Sequence, residues 1–267
     1  DLTLSRFINL GAFKFVRNRF EPDQQGDSAV VDVHDYLTPY PTKSVRLEID
    51  GTSRSNNFNG TQAILSWRNR NYFRRAELLT INANTGIEFQ NGGGDNSETN
   101  YRFGADAILS FPRLVSPVRF RNDQRQALPK TNITQGYQLI RRGGLYDLNS
   151  FQTTFGYAWR QNQQVEHVFQ PFNATYIRAS NISTAFLDSA INNPFIMSQY
   201  ILISKSRQII LSSLYTFNYN SSPRSASPTT FRLTVNVEPS GNLANLLINR
   251  RNDSGDQIIF GVPFAQY

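Results

Sequence analysis

LLTINANTGIEFQ, residues 78 to 90, decides the fold. Leu79, Ile81, Ala83, Thr85, Ile87 and Phe89 fall on one side of an extended chain, and Thr80, Asn82, Asn84, Gly86, Glu88 and Gln90 on the other. A period of two assigns a β-strand with one apolar and one polar face. The alternation also runs past the strand length common in soluble folds.

The pattern returns along the chain. In YRFGADAILSF (101–111), Phe103, Ala105, Ala107, Leu109 and Phe111 oppose Arg102, Gly104, Asp106 and Ser110. FQTTFGYAWR (151–160) gathers Phe151, Phe155, Tyr157 and Trp159, and FRLTVNVEP (231–239) sets Phe231, Leu233, Val235 and Val237 against Arg232, Thr234, Asn236 and Glu238. Strands are expected at 43–51, 61–70, 78–90, 101–111, 132–146, 150–160, 165–178, 200–219, 229–238 and 257–266. Gln161 to Gln164 read as an irregularity inside one longer strand. ISTAFLDSAIN reads as a helix capped by Asn181 or Ser183 and stopped by Pro194.

Composition agrees with a β protein. Apolar residues make up 39% of 267, with 20 Phe and 12 Tyr against one Met, a mix that favours strands. The chain has no Cys, which excludes disulfides and thiolate metal sites, and only His34 and His167 remain for imidazole chemistry. The net charge of +7 is spread along the whole length, the pattern of a solvated surface and not of a nucleic-acid footprint. No apolar run reaches the roughly 18 residues of a helical span, but a membrane barrel signals itself by alternation instead.

The connections come in two kinds: NGGGDNSETN (91–100) and NSSPRSASP (220–228) are long and polar, while NYFRRAE (71–77) is a tight turn. Long loops on one side and short turns on the other are expected of an outer-membrane barrel. The Pro- and Arg-rich stretch 112–130 departs from that asymmetry.

Chemistry-bearing clusters are few. Asp32, His34 and Asp35 form a D-x-H-D run, but alternation turns Asp35 away from the other two, and no nucleophile lies beside them. GGGD at 92–95 precedes no helix, so it reads as a hairpin tip and not a phosphate loop. The Asn-x-Ser/Thr triplets beginning with Asn59 and Asn132 reflect an Asn- and Ser-rich composition. Arg113, Arg119, Arg121, Arg125 and Lys130 form a basic connection suited to solvent or to lipid and lipopolysaccharide phosphates.

LTLSRFINLGAFKFV resembles the second helix and following strand of a POTRA domain, the periplasmic module preceding the barrel in the Omp85 superfamily of outer-membrane assembly proteins. Gly11 would end the helix in a left-handed cap, and Phe13 and Val16 would feed the small core. SAVVDVHDYLTPYP resembles that module's last strand, TKSVRLEIDG the first barrel strand, and FNGTQAILSWRNRNYFRRAELLTI the second and third. Asn71, Phe73 and Glu77 match the family's Asn-x-Phe turn followed by Glu. The likeness is to the BamA and TamA branch, above all to TamA-like proteins of Bacteroidetes, through LTPYP, FPRLVSP and YAWR.

The resemblance implies a mainly β chain cut at both ends. Residues 1–41 would be the C-terminal part of a POTRA-like module, a helix plus two strands. Residues 42–267 would be the N-terminal half of an antiparallel transmembrane barrel, with roughly eight to ten of about 16 strands. The lumen-loop Arg-Gly-Phe or Arg-Gly-Tyr tripeptide and the aromatic terminal signal would lie beyond residue 267.

Function would then be outer-membrane protein insertion or translocation, with no covalent chemistry and no cofactor. The backbone of strand one, Lys43, Ser44, Val45, Arg46, Leu47, Glu48, Ile49 and Asp50, would pair with client strands, Val45, Leu47 and Ile49 facing lipid and Arg46, Glu48 and Asp50 the lumen. Nascent outer-membrane or exported polypeptides, lipopolysaccharide, and periplasmic or lipoprotein accessory subunits are the implied partners. A passive outer-membrane channel or receptor barrel, with the N-terminal 40 or so residues as plug or linker, and a secreted glycan-binding β-sandwich are the competing readings.

Overall fold

A computed structural model describes residues 2–25, 28–53, 58–90, 99–116, 128–191, 193–204, 207–221, 230–240, 258–259 and 262–263. The chain opens with helix α1 (Leu2–Asn9) and strands β1 (Phe13–Gln25) and β2 (Ser28–Pro39), which form a two-stranded antiparallel sheet of their own. Gly11 closes the helix. Its φ of +68° is a left-handed conformation that a Cβ would disfavour, and its N–H donates to Ile8 O at 3.1 Å. Phe13 meets Phe7 edge-on at 5.8 Å, and Val16 is half-buried opposite Leu37.

Eight long strands follow as an uninterrupted meander: β3 (Lys43–Ser53), β4 (Phe58–Asn69), β5 (Leu78–Gln90), β6 (Thr99–Phe111), β7 (Lys130–Arg142), β8 (Tyr146–Arg160), β9 (Val165–Ser180) and β10 (Arg207–Asn220). With the shorter β11 (Arg232–Val237) they make one nine-stranded antiparallel sheet, each strand beside its sequence neighbours. Among the described residues the sheet is not closed, and β3 and β11 are its free edges.

Register fixes the two faces. One rung runs Leu47, Leu65, Ala83, Ala105, Tyr137, Phe151, Tyr176 and Ile209. The rung beside it runs Arg46, Ser66, Asn82, Asp106, Gly136, Gln152 and Thr175 on the opposite face. The apolar face is the exposed one. In β5, Ile81, Ala83, Thr85, Ile87 and Phe89 are exposed while Asn82, Asn84, Gly86 and Glu88 are half-buried. Among the described residues only Phe186 and Ala190 are buried hydrophobics, whereas Asn69, Glu77, Thr80, Thr131, Asp147 and Thr154 are all buried. The sheet is therefore inside out relative to a water-soluble layer. We call the half-buried polar face inner and the apolar face outer.

The inner face is knitted by polar side chains and spaced by glycine. Asn82 Nδ2 donates to Asp106 Oδ2 at 2.7 Å, and Asn173 accepts from Thr154 and Gln152 while donating to Ser212, which donates to Glu238. A Cβ at Gly104 would overlap the Asn84 side chain, so the small residue admits its large polar neighbour. A bulge at Gln170–Phe172 bends β9 where Pro171 has no N–H to give to a ladder, and Gly156 leaves room for it on β8.

Several expectations are corrected. Gln161 to Gln164 is a turn joining β8 and β9, not an irregularity within one strand: Asn162 Oδ1 accepts from the backbone N–H of Gln164 and Val165 at 2.9 and 2.7 Å. That turn reverses the direction of everything after it. Odd- and even-numbered strands of the meander finish at opposite ends of the sheet, so the connections 91–98 after β5 and 221–231 after β10 leave from opposite ends, and the expected division into a long-loop side and a short-turn side is not present.

The strand expected at 132–146 breaks at Gly143 and Gly144, both at positive φ, so that β8 starts at Tyr146. The strand expected from residue 200 is helical to Ser204. Helix α2 (Thr184–Ile191) is capped by Ser183, whose Oγ accepts from Phe186 N at 3.2 Å, and helix α3 (Pro194–Ser204) starts at the proline expected only to stop its predecessor. Proline fits there because the first helical N–H has no partner anyway. Asn181 does not cap; it sits at φ +52° and donates to Asp147. Within the strand expected over 257–266, β12 (Ile258–Ile259) pairs antiparallel with β13 (Val262–Pro263), and the rest of that span lies outside the described residues.

Candidate functional site

β3 is the edge strand of the large sheet, with β4 as its one neighbour among the described residues. Which of its backbone groups are free follows from a single bond. Arg70 N donates to Thr42 O at 2.8 Å, which makes Thr42 and Arg70 a hydrogen-bonded pair in the register that sets Lys43 opposite Asn69. Hydrogen-bonded and non-bonded pairs alternate along an antiparallel ladder. Ser44, Arg46, Glu48 and Asp50 therefore spend their N–H and C=O on β4. Lys43, Val45, Leu47 and Ile49 turn theirs to the open edge. Of the eight residues expected to pair with a client strand, these four carry the free donors and acceptors.

The side chains fall as alternation requires. Val45, Leu47 and Ile49 lie on the outer face, 68%, 65% and 68% exposed, while Arg46, Glu48 and Asp50 share the inner face with Ser66, Ile64 and Gln62. Arg46 and Glu48 form an ion pair at 2.9 Å.

The link between the two sheets is held by Arg70, which sequence reasoning missed. Its Nη1 donates to Pro41 O at 3.0 Å and Ser44 Oγ at 3.1 Å, and its guanidinium lies 5.1 Å from the centre of the Tyr40 ring. One side chain thus fixes the Tyr40–Ser44 crossing to the end of β4. No local sequence signal marks it, since its partners lie 26 and 29 residues away.

Asn71, Phe73 and Glu77 come together in the β4–β5 turn with separate tasks. Asn71 Oδ1 accepts from Ala76 N at 3.0 Å and Glu77 Oε2 from Arg75 N at 2.9 Å. These bonds hold Arg74 and Ala76 at φ of 66° and 61°, a left-handed conformation that costs each roughly 1–2 kcal/mol. Glu77 is 1% exposed and lies 3.7 Å from Arg113, which ties the start of the basic connection to this turn. Phe73 stacks on Phe111 at 6.5 Å.

The other singled-out residues scatter. On β2, Asp32 and His34 share a face and Asp35 takes the opposite one, and His34 lies 3.7 Å from Glu21. Among the described residues no group of three His, Asp or Glu is arranged to hold a metal ion. Arg113 is engaged by Glu77, and Lys130 stands at the start of β7 on the inner face. Gly92 to Asp95, Arg119, Arg121 and Arg125 lie outside the described residues.

Fold and site together define an open antiparallel wall, apolar outside and polar inside, with a small helix-and-hairpin unit clamped beside its first edge. Searched against models of known families and against curated proteins, the sequence matches none.

Proposed function

We propose that this chain is part of an outer-membrane β-barrel of the Omp85 kind, closest in character to the BamA and TamA branch, which inserts or translocates polypeptides. Residues 1–41 act as a POTRA-like periplasmic module and residues 42–267 as the first part of the barrel. The observation that carries the reading is the inverted sheet. Burying one Val, Leu, Ile or Phe away from water is worth about 1.5–3 kcal/mol, yet every strand from β3 to β9 exposes at least one such residue on the outer face. Lipid is the solvent in which that arrangement is favourable, and strands of 11 to 16 residues reach across a bilayer when tilted. A β-sandwich would cover its apolar face with a second layer, and among the described residues no such layer covers this one.

The assembly role rests on the edge. Lipid satisfies none of the free amides and carbonyls of Lys43, Val45, Leu47 and Ile49, so a client strand that pairs with them exchanges for an unfavourable seam. The exposed strands of the N-terminal unit offer a second pairing edge. A passive channel or receptor barrel shares the polar inner face. The independent two-stranded sheet of β1 and β2 favours the assembly reading over a lumenal plug.

Proline tests the edge directly. Leu47→Pro removes an N–H that points to the open edge and leaves the β3–β4 ladder intact; Glu48→Pro removes one that β4 uses and leaves its carbonyl acceptor unpaired, costing about 1–3 kcal/mol. Leu47→Pro should therefore fold normally in detergent while losing photocrosslinks from Ile49 to a nascent outer-membrane client. Undiminished crosslinking in a folded Leu47→Pro variant would refute pairing at this edge.

A further inference from the structure

At the end of the sheet that bears the helix and hairpin, a cavity of about 160 Å³ opens on the inner face, lined among others by Arg68, Arg70, Leu78, Ser110 and Lys130, with Gly11 of the helix end as one wall. These residues come from four adjacent strands or their ends. Register puts Arg68 opposite Thr80, Leu78 opposite Ser110 and Lys130 opposite Ala158, all on the inner face. Three cationic residues thus converge where, among the described residues, no carboxylate contributes to the lining. Their charge is not neutralised elsewhere. The partners of Arg70 are neutral, namely Pro41 O, Ser44 Oγ and the Tyr40 ring, and among the described residues neither Arg68 nor Lys130 pairs with an acid. Glu77, the nearest acid in sequence, is turned to Arg113 and Arg75 N.

Like charges held together in a partly enclosed space repel, and an arriving anion relieves that repulsion. Leu10, Leu78 and Pro112 in the walls exclude water and strengthen the attraction. We infer that this cavity is a binding site for a phosphate group, soluble or carried on a lipid headgroup. Two guanidinium forks, an ammonium and the Ser110 hydroxyl offer donors from several directions, which suits a tetrahedral dianion better than a planar carboxylate. The inference is local and stands whether or not the chain handles client polypeptides.

Calorimetric titration of inorganic phosphate into the full chain, folded in a zwitterionic detergent at low salt, tests it. Saturable millimolar or tighter binding is expected, with a loss of at least about tenfold in R68Q/K130Q and little change in K130R. Arg70 stays untouched because it holds the connection between the sheets. Circular dichroism should match wild type for both variants, whose altered side chains are exposed. Flotation with phosphatidic acid vesicles, with and without competing phosphate, separates the sources: competition assigns a lipid headgroup to the same site, and no flotation assigns a soluble ligand. Absence of saturable phosphate binding, equal binding by R68Q/K130Q, or acetate bound as tightly as phosphate would each overturn the assignment.

Discussion

Ala83→Arg puts the inverted sheet to its hardest test. Ala83 lies on the outer face near the middle of β5, between Leu65 and Ala105 across the neighbouring strands and between Ile81 and Thr85 along its own. At about 3.4 Å per residue, roughly 17 Å of strand separates it from Leu78 and about 24 Å from Gln90. A tilt near 45° reduces the shorter distance to about 12 Å, still deep in a hydrocarbon layer of about 30 Å.

A guanidinium at that depth should cost about 2–4 kcal/mol of folding free energy in bilayers, between one and three powers of ten in the folding equilibrium. Gln62→Arg is the control. It lies on the inner face between Asp50 and Gly86, with a carboxylate beside it and space opposite, and should cost no more than about 1 kcal/mol. Denaturant titration in thin-bilayer vesicles, read through the fluorescence of Trp67 and Trp159, gives both numbers. A loss below about 0.5 kcal/mol for Ala83→Arg, or an equal loss for Gln62→Arg, would show that the outer face does not meet lipid.

Two further outcomes follow from the same geometry. Gly104→Val should destabilise by about 1–3 kcal/mol through overlap with Asn84, and adding Asn84→Ala should recover most of it; strictly additive losses in the double-mutant cycle would remove the steric account. Glu77→Ala leaves Arg75 N without its acceptor and Arg113 without its partner, so it should cost about 1–3 kcal/mol and speed tryptic cleavage at Arg74 and Arg75, whereas Glu77→Gln should retain much of the wild-type resistance.

The strands were legible where period two was uninterrupted. Leu78–Gln90 matches its expected bounds at both ends, β3 and β6 extend theirs by two residues, and β4 starts three residues earlier and ends one sooner. Legibility failed where a local signal had two readings. Gln161 to Gln164 carry no glycine or proline, and only the side-chain oxygen of Asn162 reveals a turn. In PFIMSQYILIS the apolar residues fit either a buried strand or a helix, because β-branched and aromatic residues crowd both; a proline at the first helical position decided it. Val45, Leu47 and Ile49 could be placed on a face from alternation alone, but the division of backbone groups between ladder and free edge needed the Thr42–Arg70 bond. Arg68, Ser110 and Lys130 could not be joined from sequence at all, since their proximity is a property of register across four strands.

Register and strand count also constrain what can complete the wall. In a sequential meander of nine strands the first and last run the same way, so the free edges of β3 and β11 are parallel to each other. Joining β3 to β11 directly, or to β11 of a second copy related by rotation about the sheet axis, would create a parallel pair with slanted bonds in an otherwise antiparallel wall. Antiparallel closure takes an odd number of additional strands. On the β11 side the ladder between Ser221 and Phe231 makes odd residues the bonded ones, leaving Arg232, Thr234 and Asn236 to meet the next strand. On the β3 side, a strand added antiparallel to Lys43, Val45, Leu47 and Ile49 must run toward the end that bears the helix and hairpin, and its C-terminal residues arrive beside the Arg70 clamp. Under the proposed function, a client strand that pairs antiparallel there would bring its C-terminal residues to the clamp whatever side chains it carries.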